Sequence, residues 1–288
     1  MTRAQTAEAD MPEPAIASDT ANIPGLLAMI GRHLRLAPPS GAPFADRRQA
    51  VICMTPRSGS SYLGSMLEAS GMAPTAEHFR IRDGMIERDA ARLSDPTYEA
   101  YFRHKVESLS RPGGLFAVKC DWPQYAPVYA TGMHAHYLAG ATFFYLTRQD
   151  VLAQAISRYV GTQSGHLHSP DGKAGALRDG VAFSYTGIRD HLDRLVRMQS
   201  DWERFFASEG ITPHRLTYEA LSADPAGTVR QIAQALGSDI DMPQVDTAYK
   251  VVRTGLNDEL RAAFEAEHRR RIAAAHWKTP AGALLFPQ

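Results

Sequence analysis

The sequence of 288 residues has little cysteine, no long hydrophobic run and no excess of one charge. Its two cysteines, Cys53 and Cys120, each lie in a short apolar run typical of a buried strand, so we expect core thiols rather than a disulfide framework. No run approaches the roughly 18 apolar residues that a membrane-spanning helix needs. These absences favour a reducing compartment, and we predict a cytoplasmic protein without stable insertion in a membrane.

The charges balance, with 31 Lys and Arg residues against 31 Asp and Glu residues. A chain without a net field has no general attraction for nucleic acid, so we expect no nucleic-acid partner and only a local anion site. Residues 1–23 lack the basic start and apolar stretch of a secretory signal, and their composition predicts a flexible tail. We expect a single catalytic domain over residues 24–288.

Short apolar runs alternate with segments of helical period along this domain. Strands are predicted at 50–55, 115–119, 142–147 and 214–218, and helices at 24–34, 60–69, 150–163, 185–208, 225–237 and 257–275. Such alternation indicates an α/β fold, which we predict to be a P-loop-like three-layer domain with a mostly parallel sheet of four or five strands and helical insertions. Residues 164–180 are rich in Gly, His, Ser and Asp, and predict an irregular loop.

The most informative segment is the heptapeptide from Thr55 to Ser61, which lies between a predicted strand and a predicted helix. Backbone amides at such a turn and the helix dipole favour a bound anion, and small residues let that anion approach closely. An ordinary Ser/Gly turn that caps a helix is the alternative. The segment lacks the lysine of G-x-x-x-x-G-K-[ST] and instead has Arg57 ahead of Gly59, which favours one anionic group over a triphosphate chain.

The loop and three later segments resemble one family of enzymes. Residues 56–63, Pro-Arg-Ser-Gly-Ser-Ser-Tyr-Leu, are similar to the 5′-phosphosulfate loop of sulfotransferases that use 3′-phosphoadenosine 5′-phosphosulfate (PAPS), and most similar to that of the bacterial trehalose sulfotransferase family. The later segments resemble three further motifs of this family. Phe116 to Trp122 resembles G-x-K-x-x-W, Leu146 to Ser157 resembles R-x-D-x-x-x-Q-A-x-S, and Leu216 to Pro225 resembles Y-E-D-L-x-x-D-P. The resemblance covers most of the chain after about residue 49.

The resemblance implies in-line transfer of a sulfuryl group from PAPS to a hydroxyl of a small molecule, sugar or glycolipid, with no metal. The residues that it assigns to the 5′ end of the donor are Arg57, Ser58, Gly59, Ser60 and Ser61. For the 3′-phosphate it implies Arg148 and Ser157, with Tyr218 and the short Arg253-Thr254-Gly255 segment as further donor contacts. An arginine beside a carboxylate and a solvated helical serine are the alternative for Arg148 and Ser157.

Three residues are candidates for the chemistry itself. Lys119 ends a predicted strand, where a fixed cation would stabilise the charge that gathers as the S–O bond breaks; a lysine packed against a carboxylate is the alternative. The family places an acidic base in a G-x-P-x-E-[YF]-F stretch that Glu77-His78-Phe79 resembles. Matching Phe79 favours Glu77 as the general base, and a spacer one residue shorter leaves His78 as the alternative.

Three different functions also fit parts of the sequence. The pairs His134/His136 and His166/His168 would each point to one side if extended, as metal ligands can, although no cysteine cluster or H-E-x-x-H motif accompanies them. The anion loop would also suit a sugar or nucleotide kinase, or a catalytically silent nucleotide-binding relative of the sulfotransferases. The resemblance also makes a homodimer a candidate assembly and the loop near 164–180 a candidate acceptor-side loop.

Overall fold

The computed structural model describes residues 22–81, 83–110, 114–165, 181–238, 240, 242–246 and 255–276. The strands are β1 Arg48–Met54, β2 Leu115–Cys120, β3 Thr142–Thr147 and β4 His214–Thr217. The helices are α1 Ile23–Gly31, α2 Ser60–Ala69, α3 Asp83–Ala90, α4 Tyr98–Leu109, α5 Trp122–Ala130, α6 Val151–Ser164, α7 Tyr185–Glu209, α8 Tyr218–Ala223, α9 Pro225–Ala235 and α10 Gly255–His276, with a π-helix at His134–Leu138.

The four strands form one parallel sheet in the order β2-β1-β3-β4. Each strand predicted from the sequence is present, and the last one ends at Thr217, so Tyr218 begins a helix instead. Because all four strands run the same way, the segments that follow them meet at one edge of the sheet. The candidate residues Lys119, Arg148 and Tyr218 therefore gather at the edge where the loop after β1 begins.

Helices cover both faces of the sheet, which gives the predicted three layers. Alternate β1 residues enter different cores: Val51 and Cys53 pack on one face, and Ala50, Ile52 and Met54 on the other. The first core takes apolar side chains from α1, α3, α4, α5 and α7, and the second from α2, α8 and α9. The fold is therefore the P-loop-like α/β domain that the sequence predicts.

Two carboxylates cap helices at the functional edge of the sheet. Asp224 accepts a hydrogen bond from Gly227 N at 2.8 Å and precedes Pro225 at the first position of α9, as the sequence predicts. Asp150 caps α6 in the same way, and Arg261 of α10 donates to its carboxylate at 2.5 Å. These caps fix where α6 and α9 begin relative to β3 and β4.

Several short elements between the predicted ones were not predicted, namely α3, α4, α5, α8 and the π-helix. The π-helix corrects the extended conformation considered for His134 and His136, because the two rings have different partners. His134 Nδ1 lies 2.7 Å from Tyr125 Oη, and His136 Nε2 lies 2.7 Å from the Gly41 carbonyl oxygen. His166 and His168 lie outside the described residues, as does most of the loop predicted at 164–180.

The two cysteines are free thiols in the core, as predicted. They are partners in the register of β1 and β2, and burial raises the pKa of both thiols well above the ordinary value. Within the described ranges, no helix is long and apolar enough to cross a membrane.

Candidate active site

The loop after β1, residues Thr55 to Ser61 and here named the donor loop, has two residues in the left-handed region. Arg57 has φ of 69° and Gly59 has φ of 88°. Gly59 is also the N-cap of α2 and supplies no side chain to the helix amides, which stay available for an anion. The loop therefore leads into a helix whose first amides are not capped by a side chain of the N-cap residue, a geometry that suits an anion.

Gly59 has no room for a side chain. A Cβ atom at this position would lie 2.8 Å from Cδ2 of Tyr218, the first residue of α8. The ring of Tyr218 also lies under a guanidinium, with Arg148 Cζ 4.6 Å from its centroid. Tyr218 thus joins the donor loop to Arg148, two parts of the site that are distant in the sequence.

Arg57 reaches the residue that the resemblance assigns to the opposite end of the donor. Its Nε donates to Ser157 Oγ on α6 at 3.0 Å. Loss of hydration lowers the pKa of the Arg57 guanidinium, and repulsion by Arg148 and Arg158 lowers it further. The Arg57 side chain is nevertheless exposed, so an anion can reach it from solvent.

Several polar atoms of this region are buried without a hydrogen-bond partner among the described residues. They include Ser58 Oγ in the donor loop and Arg148 Nε at the end of β3. Buried polar atoms are nearly always paired in folded proteins, so such atoms beside a cluster of arginines indicate a site that a polar, anionic ligand completes.

Lys119 and Glu77 form the second part of the site. Lys119 Nζ donates to Ser61 Oγ at 2.8 Å and lies 3.5 Å from Glu77 Oε1, with only 7% of the lysine side chain exposed. Burial lowers the pKa of Lys119, and the Glu77 carboxylate opposes that change. One buried cation therefore contacts both the donor loop and the candidate base.

Glu77 is brought here by backbone contacts of the segment before it. Ala76 forms an isolated parallel bridge with Val118, and Lys119 N donates to the Ala76 carbonyl at 3.0 Å. On the other side, a Cβ atom on Gly64 of α2 would lie 2.4 Å from the Thr75 carbonyl oxygen. The segment is thus held between the end of β2 and α2, beside the donor loop.

The imidazole of His78 makes hydrogen-bonding contacts within its own turn. Its Nε2 lies 3.3 Å from Ala76 N and 3.2 Å from the Pro74 carbonyl oxygen, and its ring centroid is 6.5 Å from that of Phe116. Burial is the main cause that lowers the pKa of His78. The structure brings Glu77, and not His78, into contact with Lys119.

Two glutamines contact these residues but were given no role in the sequence analysis. Gln154 of α6 donates to Thr55 Oγ1 and to the Pro56 carbonyl oxygen, both at 2.8 Å, and is fully buried. Gln124 of α5 donates to Glu77 Oε2 at 2.8 Å. The sequence signals were that Gln154 is the glutamine of the R-x-D-x-x-x-Q-A-x-S motif and that Gln124 closely follows Trp122 of another motif. Arg253 lies outside the described residues.

The fold and this edge of the sheet define an α/β protein in which a donor loop, arginines and a lysine–carboxylate pair lie together at a site suited to an anion. Residues 130–262, a little under half of the chain, match the model of the Stf0 sulphotransferase family. This match agrees with the family resemblance expected from the motifs. The match contains Arg148, Ser157 and Tyr218, whereas the donor loop, Glu77 and Lys119 precede it.

Among solved structures, the chain is similar to the crystal structure of a sulfotransferase from Alicyclobacillus acidocaldarius. The two share 16% sequence identity with a TM-score of 0.44, over 82% of this chain and 97% of that one. No curated protein matches the chain.

Proposed function

We propose that this protein is a sulfotransferase that transfers a sulfuryl group from PAPS to a hydroxyl of a small molecule, sugar or glycolipid. The observation that carries the proposal is the line of contacts from Ser61 Oγ through Lys119 Nζ to the Glu77 carboxylate, which joins an anion loop to a base. Sulfuryl transfer needs the donor-binding loop and the base that accepts the acceptor proton to lie close together.

The donor fits the residues around the loop. PAPS supplies a sulfuryl group on a 5′-phosphate and carries a second phosphate on its 3′ carbon. Ser58, Gly59, Ser60 and Ser61 would hold the 5′ end, because small residues and free helix amides suit a closely held anion. Arg148 and Ser157 would hold the 3′-phosphate, and the unpartnered Arg148 Nε supports that assignment.

Arg57 would lie between the two anionic groups of the donor. It belongs to the donor loop but contacts Ser157 on α6, and its pKa is lowered partly by Arg148 and Arg158. A ligand that brings negative charge at two points would relieve this repulsion. A nucleotide with a single phosphate would relieve less of it.

Lys119 would act on the bond that breaks. As sulfur leaves the phosphate, negative charge grows on the oxygen between them, and a buried ammonium beside Ser61 would stabilise that charge more than it stabilises the ground state. The ammonium is already fixed in place by Ser61 and Glu77, so little reorganisation is needed during transfer.

Glu77 would accept the proton of the acceptor hydroxyl as the new S–O bond forms. Its side chain is 20% exposed, which leaves a path for an acceptor, whereas the Lys119 side chain is almost wholly enclosed. The balance is then complete: the sulfuryl group leaves the phosphate oxygen, joins the acceptor oxygen, and the acceptor proton moves to Glu77. His78 is the alternative base, and its contacts with its own turn favour Glu77.

The proposal is tested by incubating the full chain with ³⁵S-labelled PAPS and a panel of sugars, glycolipids and small hydroxyl compounds. We expect a labelled product with at least one acceptor and its loss in Glu77→Gln. Transfer from γ-labelled ATP with magnesium would instead indicate a kinase. Tight binding of 3′,5′-adenosine diphosphate without transfer to any acceptor would indicate a catalytically silent relative, and either result would overturn the proposal.

A further inference from the structure

We infer that Gln124 is a positioning residue, which holds the Glu77 carboxylate in the orientation needed to take the acceptor proton; this deepens the function proposed above and rests on it. Gln124 lies in the first turn of α5, just beyond the end of β2, and its side chain is buried with 7% of the residue exposed. Its Nε2 donates to Glu77 Oε2 at 2.8 Å.

The orientation of the Gln124 amide follows from its partner. An ionised carboxylate only accepts hydrogen bonds, so the nitrogen of the amide must face Glu77 and the oxygen must face away. Among the described residues that oxygen, Gln124 Oε1, is buried without a partner. Its backbone is fixed too, because Gln124 N donates to the Asp121 side chain at 3.1 Å.

An unpartnered buried oxygen lowers stability, and a methionine of similar length would fill the same space without it. The glutamine is therefore poorly explained by packing and well explained by its bond to Glu77. Such local costs to stability are expected where a residue serves a site.

The two oxygens of Glu77 then have different surroundings. Oε1 lies 3.5 Å from the Lys119 ammonium, and Arg80 and Asp121 also act electrostatically on that ammonium. Oε2 is held by Gln124. Without Gln124, Oε2 would lose this hydrogen bond while the attraction between Oε1 and Lys119 would stay, so the carboxylate would change its orientation. We expect it to lose its alignment with the acceptor hydroxyl.

The test compares Gln124→Met, Gln124→Glu and the control Gln231→Met, which changes an exposed glutamine of α9. Gln124→Met removes the donor at equal length, and Gln124→Glu keeps the shape while adding a second carboxylate. With ³⁵S-labelled PAPS and the best acceptor, we expect kcat to fall about 10- to 100-fold in both Gln124 variants, with little change in donor affinity. Gln231→Met should match the wild type.

A second readout does not need turnover. In protein labelled with ¹³C at the glutamate carboxyls, with the Glu77 signal assigned from Glu77→Gln, its titration midpoint should move to higher pH in Gln124→Met and farther in Gln124→Glu. We expect Gln124→Met to be at least as stable as the wild type in thermal unfolding, and Gln124→Glu keeps the test available if the methionine variant does not fold.

An unmoved Glu77 midpoint, together with lost stability in Gln124→Met, would mean that Gln124 is only structural and would overturn the inference. If the midpoints move as expected but the wild type transfers no label to any acceptor, the link between Gln124 and Glu77 stands and the proposed function fails. Normal kcat in both Gln124 variants of an active enzyme would also overturn the inference.

Discussion

At the scale of single residues, the site depends on one buried lysine that contacts two candidate groups at once. The ammonium of Lys119 contacts Ser61 of the donor loop and Glu77, the proposed base. Because one ammonium makes both contacts, a substitution of Lys119 would disturb the donor loop and the proposed base together. Substitutions of Ser61 or Glu77 are needed to disturb one of them alone.

Replacing Glu77 tests the base. Glu77→Gln keeps the size and hydrogen bonding of the side chain while removing its basicity, so kcat for sulfuryl transfer should fall about 10²–10⁴-fold with donor affinity nearly unchanged. Initial rates with labelled PAPS and calorimetry with 3′,5′-adenosine diphosphate measure the two quantities. Near-normal kcat in this variant, with a large loss in His78→Asn, would assign the role to the histidine.

Replacing Gly59 tests the close contact between the donor loop and Tyr218. A left-handed backbone costs a residue with a side chain roughly 1–2 kcal/mol, and the added Cβ of Gly59→Ala would also lie 2.8 Å from the Tyr218 ring. We expect weaker binding of 3′,5′-adenosine diphosphate, by about tenfold or more, in calorimetry.

Gly71→Ala is the matched control, because Gly71 has φ of 80° and a Cβ there meets nothing within 4 Å. It should lose a similar amount of stability and keep the donor affinity. Equal donor affinity in both variants would show that the approach of Tyr218 does not shape the loop.

At the scale of elements, α6 joins the parts of the donor site. Its cap Asp150 is bound by Arg261, its buried Gln154 holds Thr55 and Pro56, and its Ser157 accepts from Arg57. One helix therefore fixes the shape of the donor loop and presents the residue proposed for the 3′-phosphate. We expect that loss of the α6 contacts with the donor loop weakens binding at both ends of the proposed donor site.

Gln154→Met removes the hydrogen bonds from Gln154 to the donor loop while keeping the length of the side chain. Thr55 Oγ1 and the Pro56 carbonyl would each lose a partner at about 1–3 kcal/mol, so the loop should loosen and 3′,5′-adenosine diphosphate should bind about 10- to 100-fold more weakly. Gln163→Met, at an exposed position of the same helix, is the control. Unchanged affinity in Gln154→Met would mean that the loop keeps its shape without α6.

The main strands and long helices were predictable because their residues carry a simple period. The runs at 50–55, 115–119 and 142–147 became β1, β2 and β3, and the Asp224-Pro225 start of α9 was correct to the residue. The elements that were missed are short or partly polar, such as α3, α5 and the π-helix, where tertiary packing decides the conformation.

The site was predictable only where a motif marked it. The donor loop and Lys119 lie in recognisable sequence motifs. The contact between Arg57 and Ser157 depends on a positive φ at Arg57, which no sequence pattern predicts. The roles of Gln124 and Gln154 depend on which way a buried amide points, a property set by the packed neighbours. Sequence motifs thus located the edge of the sheet, and the fold decided the pairings.

At the scale of the whole molecule, a carboxylate away from the site ties α4 to the chain before β1. Glu99 accepts hydrogen bonds from Ser40 N at 2.8 Å, Gly41 N at 2.7 Å and the Tyr137 hydroxyl. Partial burial would raise its pKa, but the hydrogen bonds from Tyr137, Gly41 and Ser40 outweigh it and lower the pKa of Glu99 to about 2. The folded state therefore favours the ionised form.

Glu99→Gln should weaken the acid resistance of the fold. Because the folded pKa lies below the ordinary value of 4.5, the stabilisation is fully present above about pH 4.5 and is lost as the pH falls toward about 2. The variant should be less stable than the wild type in urea unfolding at pH 7, and the difference should shrink near pH 2.5. Glu259→Gln, at an exposed position of α10, should leave the stability in urea unfolding unchanged at both pH values. A constant difference at both pH values would mean that Glu99 acts without its charge.

The central claim is that this edge of the sheet recognises a nucleotide with phosphates at both ends, and calorimetry of 3′,5′-adenosine diphosphate against 5′-AMP tests it most directly. One charge-assisted hydrogen bond contributes about 1.5–3 kcal/mol, so the diphosphate should bind at least about tenfold more tightly to the wild type. In Arg148→Ala the two affinities should converge while the thermal unfolding midpoint stays near that of the wild type. Equal affinities of the two nucleotides for the wild type, or unfolding of Arg148→Ala in place of a binding defect, would contradict the account.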